Sequence, residues 1–305
     1  MSKHVAVLMG GWSGEREVSL SSGRECAKAL REAGYRVTEV DVDRNIPFRL
    51  AELKPDVCFN ALHGRIGEDG NIQGLLNILD IPYTHSGVEA SAIAMDKPRA
   101  KELFMRAGLK CPPGVVRSRA EALESESLKR PYVLKPIDQG SSLGVHIVRP
   151  GDNYSPTEED WPFGDVVLEE KFIPGRELTV AVLDGAALAV TEITSEHGVY
   201  AYDAKNADGG PLPILPAKLP EAVTSRALEM AEQAHATLGC RGVSRADLRF
   251  NDSEGDASPD NLYLLEVNTQ PGMTPTSLVP EQAGFHGMNF PALCAKLVED
   301  ARCDY

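Results

Sequence analysis

The sequence predicts an α/β protein in which an N-terminal parallel sheet is followed by mixed α+β segments. Two observations support this prediction. The chain opens in the order strand, glycine turn, helix, strand, which is typical of a parallel α/β sheet, and hairpin signals replace this order after about residue 95. With 305 residues, 42% hydrophobic and 25% charged, the composition is that of a soluble globular protein of about two or three domains.

The N-terminal part is predicted to form a Rossmann-like parallel sheet. Residues 4–9 make an apolar strand that runs into a glycine pair, and a helix then continues to about Ala33, where Gly34 ends it. Residues 36–42 form the next strand. Residues 54–62 add another strand, which ends in the glycine-rich loop 63–70. Because ligands collect at the carboxyl ends of such strands, we expect this loop to border a binding site.

The rest of the chain is predicted to mix hairpins with helices. Residues 131–136 and 145–148 flank a glycine- and serine-rich turn, and residues 177–183 and 187–194 form further strands. The Gly/Pro-rich stretch 195–220 is interpreted as a long lid-like loop. Pro220 opens an amphipathic helix ended by Gly239, and its apolar stripe consists of Val223, Ala227, Ala231, Ala234 and Leu238.

Polar side chains end two strands near the C-terminus, at residues 243–250 and 262–268, which the polar stretch 251–261 joins as a hairpin. The period of two of a strand predicts one common face for Leu262, Leu264, Glu266 and Asn268, and another for Arg245, Asp247 and Arg249. Two carboxylates and an amide oxygen at neighbouring strand ends are ligands that Mg²⁺ prefers. The alternative interpretation is an ordinary salt-bridged edge hairpin.

The turn at residues 140–144 has features of a phosphate-binding loop. It contains Ser141 and Ser142, and Lys135 ends the apolar strand that leads into it, where a lysine usually needs an anion. Its spacing matches neither a P-loop nor a dinucleotide fingerprint. A tight turn that selects glycine for its backbone is the alternative. The apolar strand 166–173 could lie against a flat base, or could be a plain core strand.

Acidic residues begin the first helix, and Glu15 is the first of them. Acids in this position complement the helix dipole, so capping is one interpretation. The functional interpretation is that Glu15 binds an ammonium group.

Composition excludes several classes of protein. No apolar run approaches the length of a membrane span and the N-terminus lacks the apolar region of a signal peptide, so we expect a cytoplasmic protein without membrane partners. Six cysteines without a Cys-x-x-Cys pair and seven histidines without ligand spacing argue against disulfide or zinc frameworks. A formal net charge of −14 argues against nucleic acid as a partner.

Taken together, these segments resemble the D-alanine:D-alanine ligases, a family of ATP-grasp enzymes. The resemblance covers essentially the whole chain through motifs in family order: GGxSxEREVS at 10–19, HGRxGEDG at 63–70, SGVxAS at 86–91, MDK at 95–97, KP at 135–136 with GSSxG at 140–144, EVNTxPGM at 266–273 and SLVP at 277–280.

The resemblance implies a three-domain ATP-grasp fold, with boundaries expected at 1–94, 95–174 and 175–305 and the lid at about 195–220. ATP would be held between the second and third domains and two D-alanine molecules between the first and third. The implied cofactors are two Mg²⁺ ions, with Mn²⁺ as a substitute, and the implied assembly is a homodimer. The implied product, D-alanyl-D-alanine, serves peptidoglycan synthesis.

The resemblance also implies roles for individual residues. ATP would be contacted by the phosphate-binding Lys97, Lys135 and Lys205, by Ser141 and Ser142 of the loop, by the adenine hinge of Glu170, Lys171, Phe172 and Ile173, and by Glu177 at the ribose. Ser141 would also help to orient the closed catalytic site. The metal ligands would be Asp247, Glu266 and Asn268. D-Alanine would be bound by Glu15 with His63 nearby, by Arg245 and the Gly272 N–H at the oxyanion, and by Ser277 with the Leu278 N–H at the second carboxylate.

One residue of the lid departs from the family pattern. Asn206 follows Lys205 where the family usually has a tyrosine that links the lid to the loop serine and the helix glutamate. Tyr200 or Tyr202 could substitute. Because related ligases that use D-lactate or D-serine also vary at this position, a ligase of that kind is the first alternative, and a non-catalytic nucleotide sensor is the second.

Overall fold

The computed structural model describes residues 2–140, 144–153, 164–194, 213–253, 255 and 257–305. Four residues predicted to act at the site or its lid lie outside these described residues: Ser141, Ser142, Lys205 and Asn206. The same holds for Tyr200, Tyr202 and most of the predicted lid, residues 195–212.

The N-terminal sheet is parallel, as predicted, with strand order β2-β1-β3. Its strands are β1 (His4–Gly10), β2 (Arg36–Val42) and β3 (Val57–Asn60), and its helices are α1 (Arg16–Glu32), α2 (Ile46–Leu53), α3 (Asn71–Ile78) and α4 (Val88–Met95). Every residue of β1 is buried, because it lies in the centre of the sheet with an apolar cluster on each face. Gly34, with φ +91°, follows α1 as the predicted stop.

The second sheet is antiparallel and has the order β4-β7-β5-β6. Its strands are β4 (Gly114–Ser118), β5 (Tyr132–Pro136), β6 (His146–Val148) and β7 (Val166–Lys171). Helix α5 (Lys97–Arg106) precedes it and helix α6 (Arg119–Glu124) follows β4. The predicted hairpin on either side of the glycine-rich turn is therefore confirmed as β5 and β6.

The third sheet is also antiparallel, with the order β11-β10-β8-β9. It consists of β8 (Arg176–Leu183), β9 (Ala186–Ile193), β10 (Val243–Phe250) and β11 (Leu262–Asn268), with a 3₁₀ turn at Pro259–Asn261 and the helices α7 (Glu221–Thr237), α8 (Leu278–Phe285) and α9 (Phe290–Glu299). The whole predicted apolar stripe of α7 is buried against this sheet together with Ala100 and Phe104 of α5. These sheets and helices confirm the mixed α/β class.

The predicted common face of β11 is wrong. Asp247 is paired with Glu266 and Leu248 with Leu264, so Leu265 is an extra residue, a β-bulge that interrupts the period of two. Leu264 lies in the apolar core beneath the sheet, whereas Glu266 lies on the opposite face. The carboxylate therefore does not follow the leucines into the core.

Within the described ranges, no helix is both long enough and apolar enough to cross a membrane. The predicted domain boundaries at about residues 94 and 174 stay a prediction.

Candidate active site

A cleft of about 1100 Å³ opens where residues from the three sheets meet. Every site residue predicted from the sequence that lies within the described ranges lines this cleft: Glu15, His63, Lys97, Lys135, Glu170, Lys171, Phe172, Ile173, Glu177, Arg245, Asp247, Glu266, Asn268, Gly272, Ser277 and Leu278. The sequence thus identified one contiguous surface from positions spread over more than 260 residues.

Two buried lysines share one buried carboxylate at the inner end of the cleft. The Lys135 Nζ atom, on β5, lies 2.6 Å from Glu170 Oε1, and the Lys101 Nζ atom, on α5, lies 2.5 Å from Glu170 Oε2. Burial disfavours charge on both Lys135 and Glu170, but their mutual attraction outweighs it, so the pKa of Lys135 is raised and that of Glu170 is lowered. Glu170 is thus the anion that Lys135 was expected to need.

A second lysine–carboxylate pair lies beside the first. Lys97 is the first residue of α5, whose N-cap Asp96 accepts from the Arg99 N–H. Its Nζ atom donates to the Gln139 carbonyl oxygen at 2.6 Å and lies 3.3 Å from Glu266 Oε2. Burial alone would raise the pKa of Glu266, but the Lys97 and Lys135 ammonium groups lower it. The carboxylate of Glu266 is therefore ionised.

The cleft face of the β10–β11 hairpin carries the oxygen-bearing side chains that the sequence analysis predicts as metal ligands. Asp247 lies directly across from Glu266, and Arg245 directly across from Asn268. The Arg245 guanidinium contacts Asp247 through two bonds, Nε to Oδ1 at 2.8 Å and Nη2 to Oδ2 at 2.6 Å. Thr179 donates to the same Asp247 Oδ1 at 2.7 Å. The hairpin lines the cleft, and it is also salt-bridged with β11 as the edge strand of its sheet, so the predicted metal role stays a prediction.

Glu15 lies at the start of α1, at the end of the cleft that the N-terminal sheet forms. It occupies the N-cap position, where its charge complements the helix dipole, but its side chain makes no capping hydrogen bond. Its carboxylate lies against the backbone of Gly64 and Gly140, since a β-carbon built on these glycines would come within 2.7 and 3.3 Å of Glu15 Oε2. The side chain is buried and faces the cleft.

His63 is held by three hydrogen-bond partners next to this carboxylate. Its Nδ1 atom lies 3.2 Å from Glu68 Oε1 and 3.1 Å from the Gln270 carbonyl oxygen, and its Nε2 atom lies 3.1 Å from Ser22 Oγ. Because both partners of Nδ1 are acceptors, we assign a proton to Nδ1. The ring orientation is therefore fixed by helix α1, the loop after β3 and the segment after β11.

The segment after β11 brings backbone donors to the cleft. A β-carbon on Gly272 would lie 3.3 Å from Ser277 Oγ, so these two residues are neighbours. Ser277 Oγ accepts from the Thr274 N–H at 3.0 Å rather than from its own helix, α8. The first N–H groups of a helix have no intrahelical acceptor, so the start of α8 at Leu278 attracts anions.

The end of β7 and the start of β8 form an apolar wall with one carboxylate. Ile173 is buried, and the Arg249 guanidinium carbon lies 5.5 Å from the centre of the Phe172 ring. Arg249 Nη1 lies 3.3 Å from Glu177 Oε2. Burial nevertheless raises the pKa of Glu177 to about 7, because it outweighs this attraction.

Sequence reasoning missed several residues of the cleft and its supports. Lys101 follows Lys97 by one helical turn, a spacing that could have indicated a second lysine on the same face of α5. Glu68 stood inside a recognised motif without an assigned role. Ser22 and Gln270 gave no local signal, because their partners are distant in the sequence.

Comparisons with known proteins agree along the whole chain. The D-ala D-ala ligase C-terminus family matches residues 112–299, and the D-ala D-ala ligase N-terminus family matches residues 49–86. The chain is 56% identical over 308 residues to D-alanine–D-alanine ligases of Rhodospirillum rubrum and Paramagnetospirillum magneticum, with 100% of both chains covered in each case.

Solved structures agree with this result. The crystal structure of D-alanine–D-alanine ligase from Bacillus anthracis complexed with ATP has a TM-score of 0.80 and 28% identity, covering 98% of this chain and 97% of that one. The predicted ATP-grasp fold is thereby confirmed. By sequence and by fold, this chain belongs to the D-alanine–D-alanine ligase family.

Proposed function

We propose that this protein is an ATP-dependent ligase that joins two D-alanine molecules into D-alanyl-D-alanine for peptidoglycan precursor synthesis. A carboxylate oxygen of the first D-alanine takes the γ-phosphoryl group of ATP, which gives an acylphosphate and ADP. The amine of the second D-alanine attacks the acyl carbon, loses a proton, and phosphate leaves as the amide bond forms. Positioning and charge stabilisation carry such a reaction.

The observation that supports the proposal most directly is that one cleft contains both positive groups suited to phosphates and a carboxylate suited to an ammonium. Lys97 and Lys135 supply positive charge for phosphates at one end, and Glu15 supplies negative charge for an ammonium at the other. The relatives that match over the full length are D-alanine–D-alanine ligases, and the Bacillus anthracis structure contains ATP. These comparisons support the same substrates here.

On the nucleotide side, the base would lie against Phe172 and Ile173, with Glu170 and Lys171 completing the hinge. Leu265, the bulged residue of β11, adds an apolar side chain to the lining. Glu177 would accept hydrogen bonds from the ribose hydroxyls.

The phosphates of ATP would draw Lys97 and Lys135 away from their present carboxylate partners, because a polyphosphate offers more negative charge than one carboxylate. Lys205, Ser141 and Ser142 are proposed for the same phosphates, although they lie outside the described residues.

The oxygen ligands on β10 and β11 fit Mg²⁺. Asp247, Glu266 and Asn268 are hard donors on one cleft face, and the lowered pKa of Glu266 keeps it ionised. Among the described residues, no group of three or more His, Cys, Asp or Glu side chains is arranged as a metal site, so further ligands would come from ATP and water. When bound, two Mg²⁺ ions, or Mn²⁺, would neutralise charge on the phosphate oxygens.

On the amino acid side, Glu15 would bind the ammonium of the first D-alanine, with His63 beside it. Arg245 and the Gly272 N–H would stabilise the oxyanion, as fixed donors aimed at developing charge. Ser277 and the Leu278 N–H would receive the carboxylate of the second D-alanine. The two amino acids would then meet between the phosphates and the start of α8.

The test is ADP release by the purified protein with Mg²⁺, ATP and D-alanine, combined with mass spectrometry of the product. D-Alanyl-D-alanine is the expected product, and L-alanine is the matched control, which should give no dipeptide. ADP release only after D-lactate or D-serine is added would instead indicate a ligase with a different second substrate. Tight ATP binding without ADP release under any of these conditions would indicate a nucleotide sensor.

The proposal also includes the cellular location, the oligomeric state and the domain boundaries of the protein. A cytoplasmic location would supply ATP, and the family implies a homodimer. The domain boundaries at about residues 94 and 174 are supported by the three separate sheets. Light scattering of the purified protein would test the dimer.

A further inference from the structure

Gln270 has no exposed surface, yet it lies only two residues from Gly272 and two from Asn268. It occupies the variable position of the family motif EVNTxPGM, so the motif gives it no role. Its side chain is not used by the proposed chemistry. A fully buried amide is costly unless every polar atom is paired, so the partners of Gln270 show what it does.

The side chain of Gln270 forms a reciprocal pair with Asn60, 210 positions earlier in the chain at the end of β3. Asn60 Nδ2 donates to Gln270 Oε1 at 3.0 Å, and Gln270 Nε2 donates to the Asn60 carbonyl oxygen at 2.5 Å. Asn60 Nδ2 also donates to the Gly67 carbonyl oxygen, and Asn60 Oδ1 accepts from the Leu62 N–H. The pair therefore joins the segment after β11 to the loop that carries His63.

The backbone of Gln270 contacts two predicted site residues directly. Its N–H donates to Asn268 Oδ1 at 2.7 Å, and its carbonyl oxygen accepts from His63 Nδ1 at 3.1 Å. An amide oxygen has two lone pairs, so Asn268 keeps one for a metal ion while its orientation is fixed. One residue thus sets the relative positions of His63, Asn268 and the Gly272 N–H.

We propose that Gln270 is a positioning residue for the D-alanine end of the cleft, acting through its side-chain pair with Asn60. This inference rests on the proposed function. The pair holds the N-terminal sheet, which supplies Glu15 and His63, in register with the segment that supplies the Gly272 N–H. Loss of the pair would loosen the amino acid site, whereas the lysines and the apolar wall of the nucleotide site lie on other elements and would not move.

The test compares Gln270→Met with Gln282→Met. Methionine preserves side-chain length and removes the amide. Gln282 is an equally buried glutamine on α8, outside the cleft lining, whose Oε1 accepts from the Ala181 N–H at 2.8 Å and whose Nε2 donates to Thr191 Oγ1 at 2.9 Å. Both variants should lose stability, since each leaves buried partners unpaired.

The kinetic constants separate the two variants. For Gln270→Met we expect the KM for D-alanine to rise about tenfold and kcat to fall, with the KM for ATP within about twofold of wild type, because small misplacements at a reacting centre are costly. Gln282→Met should keep the wild-type KM values despite its lower Tm. Equal kinetic profiles in the two variants would overturn the proposal, since Gln270 would then be merely structural.

Asn60→Ser provides a second route if Gln270→Met does not fold. It removes the side-chain donor while residue 270 keeps its backbone contacts, and it should give the same rise in KM for D-alanine without a change in KM for ATP. Wild-type KM values in Asn60→Ser would overturn the proposal.

Different results would refute the proposed function and the role of Gln270. If the wild-type protein forms no dipeptide, the proposed function is refuted, and the role of Gln270 with it. If the wild type is active but the variants keep its kinetic constants, only the role of Gln270 is refuted.

Discussion

Replacing Lys101 with methionine tests whether the buried lysine pair around Glu170 matters for ATP. Lys101 Nζ contacts Glu170 Oε2 at 2.5 Å and the Pro112 carbonyl oxygen at 2.8 Å, and both ionic side chains are buried. Lys135 holds the other oxygen of the same carboxylate. With Lys101 removed, Lys135 is the remaining close cation for Glu170.

The expected effects follow from this geometry. Breaking a buried ion pair by removing one partner costs about 3–5 kcal/mol. Because Glu170 keeps Lys135, we expect the lower end of that range, about 3 kcal/mol of unfolding free energy. Lys135, which would be drawn to ATP, must now leave Glu170 without a cation when it does so. We therefore expect the KM for ATP to rise about tenfold, which corresponds to about 1.4 kcal/mol.

The assay combines urea denaturation with the KM values for ATP and D-alanine from ADP release. Lys110→Met is the matched control, because Lys110 is exposed four residues after the end of α5, where it contacts the Tyr263 ring and the Asp260 carbonyl oxygen outside the cleft. It should change the unfolding free energy by less than about 1 kcal/mol and leave both KM values unchanged. A Lys101→Met protein that loses stability but keeps the wild-type KM for ATP would refute the coupling between Lys101 and the nucleotide site.

Three further predictions concern the pH dependence, the amino acid site and the metal. Burial raises the pKa of Glu177 from 4.5 to about 7, so the folded chain keeps a proton that the unfolded chain releases. Stability should therefore fall by on the order of 2–3 kcal/mol as pH rises from about 4.5 to about 7, and Glu177→Gln should remove most of this fall in urea denaturation at pH 5 and pH 8. Glu15→Gln should lower kcat/KM for D-alanine by on the order of 100-fold with an unchanged KM for ATP, since it removes the charge that faces the ammonium. Asn268→Ala should raise the Mg²⁺ concentration for half-maximal ADP release about tenfold, and EDTA should abolish release by the wild type.

Each of these has a result that contradicts it. Equal pH profiles for wild type and Glu177→Gln would show that Glu177 is not the titrating group. If Glu15→Gln raises only the KM for ATP, then Glu15 does not bind the amino acid substrate. An unchanged Mg²⁺ dependence in Asn268→Ala would exclude this amide from the metal ligands.

Much of the fold could be predicted because its local signals agree with its tertiary structure. Strand β2 has the predicted bounds, 36–42, and the apolar stripe of α7 is buried at every predicted position. For α7, periodicity assigns the buried face and Gly239 ends the helix. The role of Glu15 was harder to predict, because an acidic residue at the start of a helix can either cap the helix or bind a ligand. Only the three-dimensional structure shows that its side chain makes no capping bond.

The residues that support the site could not be predicted in the same way. Gln270 and Asn60 are 210 positions apart, and neither stands out in its own segment. Their pairing depends on how two sheets are placed against each other, which no local pattern records. Lys101 is intermediate: its spacing from Lys97 is visible in the sequence, but the carboxylate that it shares with Lys135 is supplied by β7.

The bulge at Leu265 shows why a correct prediction of residues can rest on a wrong prediction of geometry. Strict alternation would have placed Glu266 with Leu264 in the core, where a carboxylate needs compensation. The extra residue instead leaves Leu264 opposite Leu248 and turns Glu266 to the cleft opposite Asp247. Bulges occur next to active sites because they redirect a side chain without ending the strand. In this chain the bulge lets one short strand pack apolar residues beneath the sheet and still present Glu266 and Asn268 to the cleft.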